Sequence, residues 1–339
     1  MGNRQAGGIS RREFLAAAGA AAATATTGPP AGAAAKSAEA EIAELVKKVP
    51  TRGEPPKAAR VVIVRDTRVL DDAGRVRPDV LRAMVERALT ALSGEDTAAA
   101  AWRRYFRKGD FVAMKYNELG GRAIVTRPEL RRIATDALTG HVGVDAGKIV
   151  PIGRCTRYKG KYAGWGPEHV IHTFGYRTRF SDVFARHATA ILSLPVVKTH
   201  QSGGVTCALK IHLGSVKNPY DFCGDNDWPR LWRNLPELST LPEIKGKQRL
   251  IIADAIRPQY HKGPVHDPAW RFDHHRLIVS TDPVAVDAAA VKIVNDERRR
   301  RKLAPLTWPV RMVAFAEALG VGLADPKKVK TTEIDLSKG

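Results

Sequence analysis

The sequence predicts an α/β fold, a mostly parallel sheet flanked by helices on both faces, and three observations carry that reading. Short runs of consecutive apolar residues recur, the mark of strands buried on both sides. Stretches with apolar residues at helical spacing separate these runs. The balance of 44% apolar to 27% charged residues over 339 positions is that of a globular chain. This length is compatible with one α/β domain, residues 60–336, or with a division into two lobes.

The elements come in chain order. Residues 61–64, Val-Val-Ile-Val, form the first strand. A helix over 78–92 starts on Pro78 and spaces Leu81, Met84, Val85, Ala88 and Leu92 along one face. Residues 111–115 are the next strand, 128–138 the next helix and 148–152 another strand. Residues 190–194, 250–253 and 277–279 are three more, and helices over 283–299 and 309–319 close the chain. Asp282 before Pro283 reads as a helix N-cap, while Asp287, one turn in, can face either way. In such sheets ligands lie beyond the carboxyl ends of strands. No internal repeat and no Gly-rich nucleotide fingerprint occur.

Before this body, Ser10-Arg11-Arg12-Glu13-Phe14-Leu15 and the Ala-rich run after it read as a twin-arginine export signal over 1–35. A linker over 36–59, with a short helix at 39–48, would come next. The expected location is therefore periplasmic or extracellular, reached in the folded state through the twin-arginine translocase as partner. Cys155, Cys207 and Cys223 allow at most one internal disulfide. With no Cys-x-x-Cys pair, no iron–sulfur cluster is expected.

The formal net charge of +20 attracts anions. Two basic runs contribute to it. One, over 102–108, interleaves Trp102, Tyr105 and Phe106, which could stack on bases or sugars; the other, over 298–302, reads as a solvated helix end. Without a binding fingerprint, nucleic acid is disfavoured as a partner. An anionic envelope polymer, either lipid or wall material, is the alternative partner to a small anionic ligand.

The densest chemistry lies over 194–218, just past a buried strand. Lys198 and Lys210 can anchor an anion or, once desolvated, act as amine bases. With His200 and His212 they are the candidate catalytic residues. Gly203 and Gly204 leave backbone amides open to an anion, and with Thr206, Lys217 and Asn218 they form the candidate cofactor-binding set. A second cluster starts at Asp254 and includes His261, His266, Asp273, His274 and His275. His200, Cys207, Asp254, His261 and His266 are the candidate metal ligands, a set suited to a divalent transition metal such as iron, zinc or nickel.

These motifs resemble the domain-of-unknown-function 362 proteins over residues 60–336. The resemblance rests on residues 109–117 (Gly-Asp-Phe-Val-Ala-Met-Lys-Tyr-Asn), on Leu194-Pro195 with Lys198-Thr199-His200, and on Val205-Thr206 with Ala208-Leu209-Lys210. It rests also on Ile252-Ala253-Asp254 and on residues 280–287, which run from Ser280 through Asp282-Pro283 to Asp287. Ile211 stands where the family often has Asn, and no ferredoxin insert is present. The resemblance implies a fold and leaves the reaction open. The span from His200 to Lys210 is also similar to nickel-pincer lactate racemases, in which a His and a Lys ten residues later hold the pincer nucleotide and metal; the Gly pair falls at a different offset. The reading expected overall is an exported metal- or cofactor-dependent enzyme acting on a small anion, the alternative being a non-catalytic envelope-binding protein.

Overall fold

The computed structural model describes residues 31–201, 203–223 and 231–338. The export signal expected over 1–35 lies outside them up to residue 30. Two units are distinguished, Met1–Ala40 and Glu41–Gly339. Of the first, residues 31–40 are helical and open α1, Ala31–Lys48. Among the described residues no helix is long and apolar enough to cross a membrane.

The second unit is an α/β fold. Its strands are β1 (Ala59–Arg65), β2 (Val112–Tyr116), β3 (Ile149–Ile152), β4 (Trp165–Ile171), β5 (Tyr176–Ser181) and β6 (Ala190–Leu194). They continue with β7 (Val196–His200), β8 (Gly204–Thr206), β9 (Gln248–Gln259), β10 (Arg276–Ser280) and β11 (Val329–Asp335). The main sheet runs β11-β1-β10-β9-β6-β2-β3, with β7 on β9 and β8 on β7, while β4 and β5 form a separate hairpin. The sheet is mostly parallel; β10 and β8 run against their neighbours.

Both faces of the sheet are covered, because its strands are apolar at successive positions. In β1, Val61 and Ile63 join one apolar layer and Val62 and Val64 the other, as alternation requires. The second layer is closed by α2 (Pro78–Ser93), α3 (Ala98–Tyr105) and α4 (Pro128–Ala137). The first is closed by α5 (Leu231–Leu238), α6 (Pro283–Arg300) and α7 (Trp308–Ala318), and it also takes Leu45 and Val49. In α2 the buried residues are Leu81, Met84, Val85, Ala88, Leu89 and Leu92, a stripe at helical spacing that ends on Gly94 in the left-handed region.

Several features depart from the sequence reading. The basic run read over 102–108 begins inside the helix α3, and its Trp102 and Phe106 are buried in the core rather than offered for stacking. Arg298, read as part of a solvated helix end, is buried and donates to the carbonyls of Ala304 and Tyr260. The strand at 190–194 does not end the sheet there. After Pro195 the chain re-enters as β7, beside the carboxyl half of β9, so that Val196 pairs with Asp254. The segment after β7 is not a helix: Gly203-Gly204 turns the chain into β8, and a short 3₁₀ turn, Lys210–Ser215, comes next.

The buried stripe of α2 yields a direct test. Met84→Ala should cost about 2 to 5 kcal/mol of unfolding free energy in denaturant melts; a loss within about 0.5 kcal/mol would contradict the packing described.

Candidate functional site

The β7–β8 pair brings the site together. Val197 and Val205 point into the core, so by alternation Lys198, His200 and Thr206 share the other side, with Lys198 directly opposite Thr206. Gly204, opposite His200, has φ +71, and a Cβ there would sit 2.2 Å from Pro309. Only glycine fits both the turn and the contact. Lys210 follows at the start of the 3₁₀ turn.

Lys198 is buried, and its Nζ donates to the carbonyls of Leu119 (2.5 Å) and Ile124 (2.9 Å). Burial, reinforced by the charge of Lys210, pulls its pKa down to about 7. Lys210, half-buried, is pulled down to about 8 by desolvation, which Cys223 partly opposes. His200 is buried, and desolvation together with Lys210 and Lys198 holds its imidazole well below the usual range, so it is neutral. Among the described residues no carboxylate forms an ion pair with Lys198 or Lys210. Thr206 is buried, and its Oγ1 has no hydrogen-bond partner.

A third lysine belongs to this cluster although sequence reasoning placed it only in a strand. Lys115, at the carboxyl end of β2, is buried and donates to the carbonyls of Tyr116 (3.0 Å) and Gly153 (2.5 Å). Desolvation brings it to about 8, with Lys210 again contributing repulsion. The available signal was its position: a lysine closing an apolar strand, at the end of the sheet where ligands bind.

The turn carrying Lys210 is fixed from α6. Asp287 accepts from the backbone N–H of Ala208 (2.6 Å) and of Leu209 (3.3 Å), and it also takes a hydrogen bond from Cys207. Burial raises Asp287 to about 7 and holds the Cys207 thiol well above its ordinary range. Asp287 therefore faces inward as an anchor. Asp282 caps α6 as expected, accepting from Val284 and Ala285.

Other candidates lie elsewhere. Gln248 donates through its Nε2 to the Leu250 carbonyl, so its Oε1 is the acceptor for Ser193 and for His212 Nε2 at 3.2 Å. That network assigns the His212 proton to Nε2. Nδ1 remains a buried acceptor without a partner, on a residue lining a cavity of about 130 Å³. Lys217 and Asn218 are exposed beside β5, where the Lys217 amide meets the Arg179 carbonyl and Asn218 bonds Tyr176. They do not join Gly203, Gly204 and Thr206.

The proposed metal ligands are not assembled: among the described residues no group of three His, Cys, Asp or Glu side chains is placed to hold an ion. In three of the five the donor atoms are engaged. Cys207 bonds Asp287, Asp254 lies 2.9 Å from Arg127 Nε, and His261 Nδ1 lies 3.1 Å from Arg298 Nη1. His266 is half-exposed, tied by its amide to the Gly120 carbonyl. Two of the five thus face an arginine, which repels a cation. Cys155, Cys207 and Cys223 form no disulfide among the described residues.

Fold and site together define an α/β protein with a buried amine cluster at the carboxyl ends of its strands. Residues 174–292 match the family model of the domain of unknown function DUF362, a match that includes Lys198, His200, Lys210, Asp254 and Asp287 and supports the family resemblance of the motifs. No curated protein matches the chain. Among solved structures, the crystal structure of a protein from Thermotoga maritima is similar at 11% identity, with 78% of this chain and 59% of that chain covered and a TM-score of 0.33. The chain thus spans less than two thirds of that protein's length.

Folding must desolvate these amines, so pH tests the arrangement. In the unfolded chain a lysine keeps its proton to its ordinary value of 10.5, whereas Lys198 begins to lose it near 7 and Lys210 and Lys115 near 8 when folded. The cost is therefore fully present below pH 7 and is relieved as pH rises. Unfolding free energy in anion-poor buffer should rise from pH 7 to 9, and Lys198→Met should reduce that slope; a flat or falling profile in the parent protein would contradict the burial.

Proposed function

We propose that this protein binds a small anionic substrate at Lys198, Lys210 and Thr206 and moves a proton there, with Lys198 as the base. The observation that supports it most is an amine cluster that, among the described residues, has no carboxylate in ion-pair contact and lies beside a buried hydroxyl with no hydrogen-bond partner there. Positive Lys210 and the Thr206 hydroxyl fit an anion that accepts hydrogen bonds, and Lys198 serves as the base in its neutral form. A neutral amine has two N–H groups and one lone pair. Two carbonyls accept from Lys198 Nζ, which leaves the lone pair for a substrate proton, and a pKa near neutrality suits a general base. Neutral His200 lies within electrostatic reach of both lysines, and burial keeps it from taking the proton from Lys198.

Export in the folded state through the twin-arginine pathway belongs to the same proposal; it rests on the Ser10-Arg11-Arg12-Glu13-Phe14-Leu15 motif and the Ala-rich run after it. The alternative, docking to an envelope polymer through basic runs, has less to support it. Arg298 is buried, Arg299 pairs with Asp296, and Arg300 and Arg301 pair with Glu297, so much of that run is spent within the chain.

Calorimetric titration with inorganic phosphate and with oxalate tests the reading. At least one should bind at pH 6.5, more weakly at pH 9 as the amines lose their protons, and Lys210→Met should weaken it about tenfold or more. Absence of binding by both, or affinity unchanged by Lys210→Met, would sink the proposal.

A further inference from the structure

A groove of about 950 Å³ runs between α6 and the β11-β1-β10 edge of the sheet. One stripe of α6 faces it with Ala285, Ala288 and Ala289, and Ile63 and Val329 line the sheet side. Small residues on the helix leave open the space that larger ones would fill, and the volume lies within the range of small-molecule sites.

One end of the groove is cationic for a structural reason. Arg65 on β1 and Arg276 on β10 stand directly opposite each other on antiparallel strands, a pairing that repels. Arg65 is relieved by Asp335, its register partner on β11, at 2.7 Å. Lys292 is paired with Asp296 at 2.7 Å and Arg300 with Glu297 at 3.3 Å. Arg276 differs: among the described residues no carboxylate is in ion-pair contact with it. Its Nη1 donates to the His274 carbonyl at 3.0 Å and lies 3.2 Å from His274 Nδ1; burial, with repulsion from Arg65 and Arg300 and opposed by Glu333 and Asp335, lowers its proton affinity. His274, on the same wall, is held neutral by burial and by Arg276. The groove therefore combines an apolar trough with one half-buried guanidinium that, among the described residues, no carboxylate contacts as an ion pair, Glu333 acting on it only from a distance.

We propose that this groove binds a single-chain amphiphile with a carboxylate head, its head on Arg276 and its apolar chain along the alanines of α6. One guanidinium outside any ion-pair contact calls for a monoanion, and its planar fork matches a carboxylate through two parallel hydrogen bonds. The apolar body of the ligand is what sets this site apart from the lysine cluster.

Decanoate is a suitable probe, titrated calorimetrically into the full chain. It should bind saturably at one site. Arg276→Met and Ala289→Phe should each weaken it about tenfold or more, the first by removing the head contact and the second by filling the trough. Acetate and decanol should bind about tenfold more weakly still than decanoate, and Lys210→Met should leave decanoate unaffected, which separates this site from the phosphate and oxalate test. Thermal melts check that both variants are folded, and Ala289→Phe decides alone should Arg276→Met not fold. Failure of decanoate to saturate, affinity retained in folded variants, equal binding of decanol, or loss in Lys210→Met would overturn the proposal.

Discussion

Two lysine side chains, Lys115 and Lys198, are held away from water at the carboxyl ends of a parallel sheet, each on a pair of backbone carbonyls, and the half-buried Lys210 follows in the turn after β8. Removing an ammonium group from water costs several kcal/mol unless it is paired or gives up its proton. Here no carboxylate pairs with them among the described residues, so the cost is met by lowered proton affinity and by carbonyl acceptors. The surrounding backbone is shaped accordingly. Gly120, at φ +115, lets the β2–α4 connection pass so close that a Cβ there would lie 3.0 Å from Lys198 Nζ.

The same constraint explains why residues far apart in sequence meet. Asn117, just past β2, accepts from the Val196 amide at 2.7 Å, and the Asp254 amide donates to the Pro195 carbonyl at 2.8 Å. Thr126 bonds the Leu194 carbonyl at 2.6 Å and caps the Asn117 amide. Asp287 of α6 ties down Ala208 and Leu209. Each stretch on which the family resemblance rests thus supplies a hydrogen bond to the crossing at Pro195 or to the turn before Lys210. Buried polar networks of this kind fix one backbone arrangement, because each member left unpaired is costly.

Much of the layering was legible in the sequence because strands buried on both faces leave continuous apolar runs, as at 61–64 and 190–194. β7 was not, since Val-Val-Lys-Thr-His mixes apolar and polar residues and follows a proline. A polar strand becomes stable only where its side chains find partners, which periodicity does not report. β11, Val-Lys-Thr-Thr-Glu-Ile-Asp, is a partly exposed edge strand, and the β4–β5 hairpin is similarly polar. At the site, the grouping of Lys198, His200, Lys210 and Thr206 followed from the sheet's geometry. The metal set failed because spacing cannot show that Arg127 and Arg298 occupy the neighbouring space. Asp287 could not be oriented from helical phase alone, since a carboxylate one turn into a helix faces inward only if amides await it.

The central claim is that these amines lie out of water and share one electrostatic environment. Direct titration of the lysine side-chain ammonium and Cε resonances by NMR, with Lys198→Met and Lys210→Met used for assignment, tests it most directly. Midpoints near 7 for Lys198 and near 8 for Lys210, with Lys198 rising when Lys210 is replaced, are the predicted result. Midpoints near 10.5 for both, each indifferent to the other's replacement, would show two ordinary solvated lysines and contradict the account.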